Sequence, residues 1–445
     1  MASTLIPIAA LLLGSSFLLM AGGLHGLLLP LQGSATGFTT LELGLIGTGW
    51  SIGFMAGSLL VPRIVRRVGH VRGYGSMASI AAVAILLNIL IVSPPAWIVL
   101  RALSGFCFAG AYMIVESWLN ERATAENRGT IFSIYQMVVF TSSTVGQLLL
   151  VLTPPSDFFF FAIGAILYCL AILPTALSTA KNPQPLNAAR LDIRALYRAS
   201  PVAVVGCFMI GLVNGTFGTL GPVYAVRIGL PVAEASVLMA AAMLGGSLVQ
   251  FPAGRLSDRM DRRRVMIGGA VATIVVGLAI FLLRPRQPEI VTGLAILFGA
   301  SIYPMYGLAV AHANDFATDH DFVKIAGGLL LVLGLGLMIG PILGSLAMDW
   351  TVPEGLFAFA ALVHGLLAIY IVYRMTRRAA RRREPFRGMS LKALTLESAA
   401  LDPRAEPLPE TFDEAASPGA PAPEAPTGDA PAAEPPSQQA PPGPT

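Results

Sequence analysis

Charge is scarce in this chain. Asp, Glu, Lys and Arg make up 12% of its 445 residues, about half of the roughly 25% found in soluble domains. Cysteine is scarcer still. Cys107, Cys169 and Cys207 each sit inside an apolar segment, which speaks against a disulfide framework and for reduced packing residues. There is no phosphate-binding glycine loop, no HExxH, no paired CxxC and no nucleophile elbow. The missing loop speaks against an ATP-driven pump, and the thin acid–base inventory leaves no catalytic constellation. We therefore expect no enzyme, no cofactor and no metal site. Strand-like alternation of apolar and polar residues is also missing, which excludes a membrane β-barrel.

Long apolar runs fill the chain instead. Hydrophobic residues reach 55% and the mean hydropathy is +0.70. A hydrocarbon core about 30 Å thick takes about 20 apolar residues as a helix, whose backbone satisfies its own polar groups. Twelve such spans are expected near 6–31, 43–62, 73–92, 97–118, 130–152, 158–178, 201–226, 234–253, 265–283, 290–312, 326–348 and 356–373. The first lacks the basic lead-in of a signal peptide and is expected to stay. The 46 glycines suit helices that pack backbone to backbone in lipid.

The basic residues fall in every second gap. With the amino terminus cytoplasmic, inside segments hold 24 Lys and Arg, and outside ones only Arg227, Arg284 and Arg286. The positive-inside rule then places both termini in the cytoplasm of a multi-pass protein of the cytoplasmic (inner) membrane. The net charge of +4 is explained by that pattern and implies no nucleic acid. Trp97, Trp118 and Trp350 stand at span ends, where an interfacial aromatic belt is expected.

The expected organisation is all-α and polytopic. Residues 1–178 form an amino-terminal six-helix bundle, 179–200 a cytoplasmic linker, and 201–375 a carboxy-terminal six-helix bundle. Residues 376–445 form a basic flank and a disordered acidic tail. Leu191–Tyr197 reads as a short surface helix or as loop. From Leu401 on there are thirteen prolines and one aromatic, Phe412, too little apolar surface to fold. That tail is either inert and solvated or a docking segment.

The most specific local signal is GRLSDRMDRR, Gly254 to Arg263. It resembles the cytoplasmic-loop signature of the major facilitator superfamily, G-x-L-x-D-R-x-G-R-R, with Asp261 in place of the second glycine. Asp258 can accept from arginines or from unsatisfied amides at a helix start. About 197 residues earlier, GSLLVPRIVRRVGHVR keeps Gly57, Leu59 and the arginines but has Val61 where the aspartate belongs. RALSGFCFAG, Arg101 to Gly110, resembles the superfamily's fourth-helix motif. Arg101, Gly105, Phe108, Tyr112 and Glu116 fall within about 80° of one another on a helix. Arg101 either faces the interior, as intramembrane charges do by default, or snorkels outward. Glu116-Ser-Trp-Leu-Asn120 and His312-Ala-Asn-Asp315, the latter after Tyr303-Pro-Met-Tyr306, end spans four and ten and look like the YcaD-like branch of the superfamily. Their carboxylates can pair with Arg63 or Arg66 and with Arg259, as a gate or as ordinary helix-end solvation. Gly336, Gly340, Pro341 and Gly344 mark span eleven as a close-packing helix.

The resemblance implies two pseudo-symmetric six-helix bundles rocking about a midplane site, with spans one, four, seven and ten lining the cavity. The expected function is secondary transport of a small solute across the bilayer by a monomer. Proton coupling through Arg101, Glu116 or His25 stays open. Solute or coupling candidates are His25, Arg101, Tyr112, Glu116, Gln136, Asn214, Tyr303 and Tyr306. Gate candidates are Gly254, Asp258, Arg259, Arg262, Arg263, His312, Asn314 and Asp315. A non-transporting scaffold or solute sensor is the alternative. The substrate, whether flat heterocycle, drug, sugar or organic acid, is not legible.

Overall fold

The computed structural model describes residues 2–122, 128–152, 158–177, 193–316 and 322–377, all within one compact unit. The acidic tail and most of the 179–200 linker lie outside the described residues. Described secondary structure is helical: α1 Ala2–Ala35, α2 Thr40–Val68, α3 His70–Leu90, α4 Pro94–Arg122, α5 Arg128–Leu148, α6 Phe159–Ala176, α7 Ile193–Ala199, α8 Pro201–Arg227, α9 Val232–Arg259, α10 Arg262–Leu283, α11 Pro288–Ile302, α12 Pro304–Asn314, α13 Phe322–Trp350 and α14 Gly355–Arg377. Among the described residues, twelve helical segments are long and apolar enough to cross a membrane.

Local chemistry sets the boundaries. Pro201, Pro288 and Pro304 stand in the first turn of their helices, where the missing N–H leaves nothing unsatisfied. Thr39 and Glu42 close a reciprocal capping box at the start of α2. Gly69 carries φ of 83° in the sharp turn from α2 to α3, a conformation only glycine adopts freely.

The tenth span is broken where the sequence reading made it continuous. Pro304 cannot donate and clashes with the preceding turn, so α11 stops at Ile302 and α12 starts afresh. Every residue of α12 is buried. In the linker, α7 takes up the helical alternative and packs on α8 and α13, with Leu196 in the core.

The bundles repeat one packing scheme. In the first half α2 packs on α4, α1 on α5 and α6, and α3 on α6; in the second, α9 packs on α11, α8 on α13 and α14, and α10 on α14. The α2–α4 seam needs bare backbone. A Cβ on Gly53 would fall on the Ala102 carbonyl, and one on Gly105 on that of Trp50. Gly53→Ala is therefore expected to cost about 1 kcal/mol or more through overpacking. Gly293→Ala, whose Cβ would meet nothing within 4 Å, is expected to change nothing. Thermal unfolding midpoints in detergent compare the two, and equal midpoints would mean that the seam gives way freely.

The halves meet along α2 and α13, α5 and α9, and α1 and α8. The hydrogen bonds described across this boundary run from the Thr40 end of α2 to mid-depth. Thr40 donates to Asp349, Thr48 to the Met338 carbonyl at 2.7 Å, and Ser51 to the Leu337 carbonyl at 3.3 Å. At the same end Arg227 pairs with Asp349 at 3.4 Å and Arg286 with the buried carboxylate of Glu354.

The tryptophans depart from the belt expectation. Trp350 is 79% exposed, but Trp97 and Trp118 are buried. The indole N–H of Trp97 donates to the carbonyls of Asn88, at 2.8 Å, and Ile91, at 3.0 Å. Carbonyls at a helix end lack intrahelical partners, and this ring turns inward to serve two of them. Trp118 stacks near His70, with centroids 6.0 Å apart.

Candidate functional site

A cavity of about 290 Å³ lies between the halves at the depth of mid-α2, near the lower limit of about 300 Å³ typical of small-molecule sites. Both halves line it. Gly22, Gly26 and Pro30 come from α1, Trp50 and Phe54 from α2, and Arg101, Phe108 and Tyr112 from α4; Ser143 and Gln147 come from α5 and Tyr168 from α6. Across from them stand Asn214, Gly218 and Thr219 of α8, Met239 of α9 and Leu337 of α13.

Arg101 enters this cavity rather than snorkelling to an interface. Its guanidinium carbon lies 5.8 Å from the centroid of the Trp50 ring. A Cβ on Gly26 would come within 3.5 Å of Nη2, so a glycine leaves the headgroup its room. Aromatic rings continue the wall. Trp50 and Phe54 have centroids 5.0 Å apart, Trp50 and Phe108 6.3 Å, and Phe108 and Tyr112 5.1 Å. Both side-chain polar atoms of Asn214 and the Oε1 of Gln147 are buried without a hydrogen-bond partner.

Of the eight solute candidates, the structure brings Arg101, Tyr112 and Asn214 together around this space and leaves the other five outside its lining. His25 is fully buried behind it, its Nδ1 3.4 Å from the Tyr168 hydroxyl. Glu116 is buried one turn beyond Tyr112 on α4. Gln136 lies nearer the start of α5 than the lining residues Ser143 and Gln147. Tyr303 and Tyr306 stay outside the lining for a common reason. The tenth span, expected to line the cavity, contributes no lining residue described, and α2, α5, α9 and α13 take its place. The Tyr303 ring lies against α9, where a Cβ on Gly246 would come within 2.6 Å of it. Tyr306 is fully buried in the second core cluster.

Gln147, Tyr168 and Thr219 were not singled out as contacts. Gln147 and Tyr168 interrupt apolar runs and so carried a signal. Assigning the lining to fixed span numbers hid it.

At the other end of the fold, the Gly254–Arg263 stretch bridges α9 and α10. Gly254 is buried, and its carbonyl accepts from Ser257 at 2.7 Å. Arg262 is the hub. Its Nε donates to both carboxylate oxygens of Asp315, at 3.0 and 3.2 Å, and Nη1 to Ser257 at 3.0 Å and Asp258 at 3.1 Å. The side chains of Arg262 and Asp315 are only 1% and 7% exposed. Arg262 thus takes the part expected of Arg259, which lies on the exposed side of α9. Two non-helical residues, Met260 and Asp261, separate the two arginines, and the turn they make carries Arg262 inward.

Asp261 caps α10 through the Arg263 amide at 3.0 Å and clasps the Arg263 side chain at 2.7 Å. Its φ of −55° explains why the glycine of the signature is not needed here. Burial opposes ionisation of Asp261, but the hydrogen bonds from Arg263 outweigh it and hold the carboxyl below its ordinary value. His312 packs edge-on against Phe316, with centroids 5.2 Å apart, and the Asn314 side chain is buried with its polar atoms unpaired. One helix start that could offer amides to Asp258 is that of α5 at Arg128 and Gly129, whose side chains lie outside the described residues.

Twelve membrane-length helices packed as two repeats around a cavity of aromatic rings and one arginine have the architecture of a multi-pass membrane transporter. The chain belongs to the Major Facilitator Superfamily, whose sequence profile matches residues 11–242 and again 228–410. It is 27% identical over 347 residues to the MFS-type transporter YcaD of Shigella flexneri serotype 5b (strain 8401), covering 77% of this chain and 89% of that one. The identity and coverage are the same for YcaD of Escherichia coli O139:H28 (strain E24377A / ETEC). Among solved structures, the nucleoside transporter NupG superposes with a TM-score of 0.71 at 14% identity, over 84% of this chain and 100% of that one. A bacterial homolog of the human lysosomal transporter Spinster, inward-facing and occupied, gives 0.64 at 15% identity, over 83% and 96%. At these identities the likeness is one of fold.

Proposed function

We propose that the chain is a secondary transporter that carries a small solute across the cytoplasmic membrane by alternating access, the two bundles rocking about the central cavity. The observation that carries this reading is the cavity itself. It lies on the boundary between the halves, both halves line it, and such a site changes sides when the bundles rock. In this reading the amino terminus and the carboxy-terminal flank are cytoplasmic, because the arginine-rich gaps face inward, and the Thr40 end faces outward. Proton coupling is assigned to His25, which reaches the cavity through the Tyr168 hydroxyl. The test compares solute levels in cells lacking and overexpressing the protein, followed by flux of the responding solute in proteoliposomes. A solute gradient that follows the protein supports the reading. Unchanged profiles, with a partner captured through the tail, would leave the scaffold.

Asp258 serves in this reading as a latch on the cytoplasmic side. Its carboxylate, 30% exposed, already holds Arg262, while the amino-terminal copy has Val61 in its place. Asp258→Asn is expected to insert normally, populate the inward-open state more and turn over more slowly. A charge-assisted bond is worth about 1.5–3 kcal/mol, reduced here by solvent. Asp261→Asn keeps the cap and is expected to do much less. Accessibility of a cavity cysteine, read together with flux, separates them. Equal effects would reduce Asp258 to loop solvation.

A further inference from the structure

Resting on the transporter reading, the geometry points to a substrate class: a small planar monocarboxylate, with its carboxylate on Arg101 and its ring along Trp50, Phe54 and Phe108. Charge comes first. Among the described residues, Arg101 makes no hydrogen bond or ion pair, and the cavity lining holds one permanent cation and no carboxylate. An unpaired cation at membrane depth is costly. The guanidinium fork matches a carboxylate in two parallel bonds. One unpaired positive charge matches one negative charge, which favours a carboxylate over a phosphate monoester with nearly two. A cationic solute would be repelled.

Shape comes second. Trp50, Phe54 and Phe108 form a continuous aromatic wall, while α1 and α8 present Gly22, Gly26, Gly215 and Gly218 to the same space. A Cβ on Gly218 would meet nothing within 4 Å, so that part of the slot is open. A volume near 290 Å³ is that of about ten waters, which suits one ring with short substituents. The unpaired amide of Asn214 and the unpaired Oε1 of Gln147 supply partners for a second polar group on the ring, such as a hydroxyl.

The experiment uses the purified full-length protein in detergent. Thermal unfolding midpoints are measured against benzoate, 4-hydroxybenzoate, nicotinate and indole-3-acetate. The matching amides or alcohols, inorganic phosphate, uridine and benzylamine serve as contrasts. Members of the carboxylate panel are expected to raise the midpoint in a saturable way, and the contrasts are not. Arg101→Gln is expected to weaken carboxylate binding about tenfold to a hundredfold, the fold-change that a charge-assisted bond represents. Arg101→Lys is expected to keep the preference for anions at reduced affinity. Gly218→Phe, which fills open space, is expected to unfold at the wild-type midpoint and lose the response.

Stabilisation by uridine or benzylamine but not by the carboxylates would overturn the substrate class and leave the transporter reading standing, as would a phosphate response without a carboxylate one. A carboxylate response unchanged in both Arg101→Gln and Gly218→Phe would place the anion elsewhere and overturn the site. No response to any carboxylate would also overturn the class, while the cell and proteoliposome fluxes decide the transporter reading separately.

Discussion

Replacing Arg262 with leucine is expected to cost the fold about 3–5 kcal/mol, the range for removing one partner of a buried ion pair. The guanidinium is 1% exposed and holds an Asp315 carboxylate that is 7% exposed, so the variant takes a buried arginine partner from that carboxylate. Its link to Asp258 contributes less, because that side chain is 30% exposed and solvent screens the lost attraction. The position lies at the turn between α9 and α10, so the damage falls on the carboxy-terminal bundle, with little folded protein recovered and a much lower midpoint. Arg262→Leu combined with Asp315→Leu is expected to recover most of the loss, since an apolar pair leaves no charge stranded. A single variant as stable as wild type, or a double variant no better than the single, would show that the Asp315 carboxylate does not depend on Arg262.

Gly44→Leu is expected to abolish most turnover while leaving each bundle folded. A Cβ at this position of α2 would lie 2.7 Å from the Pro341 carbonyl and 3.2 Å from the Ser345 hydroxyl, both in α13 of the opposite half. The strain therefore falls on the seam and vanishes when the bundles part at the Thr40 end. Overpacking costs about 1–3 kcal/mol, and every 1.4 kcal/mol shifts a two-state ratio about tenfold. The closed seam would thus lose about fivefold to over a hundredfold in population. Gly49 is the control. Its Cβ would lie 2.7 Å from the Ile98 carbonyl, inside the same bundle, so Gly49→Leu strains both conformers alike and lowers stability without favouring either. In a background lacking Cys107, Cys169 and Cys207, labelling of Thr48→Cys by an impermeant thiol reagent reports the opening. Faster labelling with Gly44→Leu alone is expected. Equal labelling in the two variants would mean that this seam does not move.

The spans were legible because partitioning into hydrocarbon depends on local composition, and runs such as Phe159–Ala176 carry their own length. The broken tenth span was legible too, but Tyr303-Pro304-Met305-Tyr306 was read for its aromatics rather than for the missing N–H of Pro304. Cavity lining was not. Helices such as α8 are apolar nearly all round, so no stripe says which face meets the opposite half, and Asn214 was found by its polarity and its place on span seven. The Arg262–Asp315 pair joins residues 53 positions apart. The motif supplied an arginine-rich loop but not the turn that selects Arg262 over Arg259.

The two ends of the molecule will feel dissolved salt differently. The Arg227–Asp349 pair that supports the Thr40 seam is 33% and 39% exposed, open to counterions whose screening length is about 8 Å at physiological strength. Arg262 and Asp315 are sheltered from them. Added salt is therefore expected to weaken the Arg227–Asp349 pair at the Thr40 end and to spare the Arg262–Asp315 pair at the other end of the same bundle.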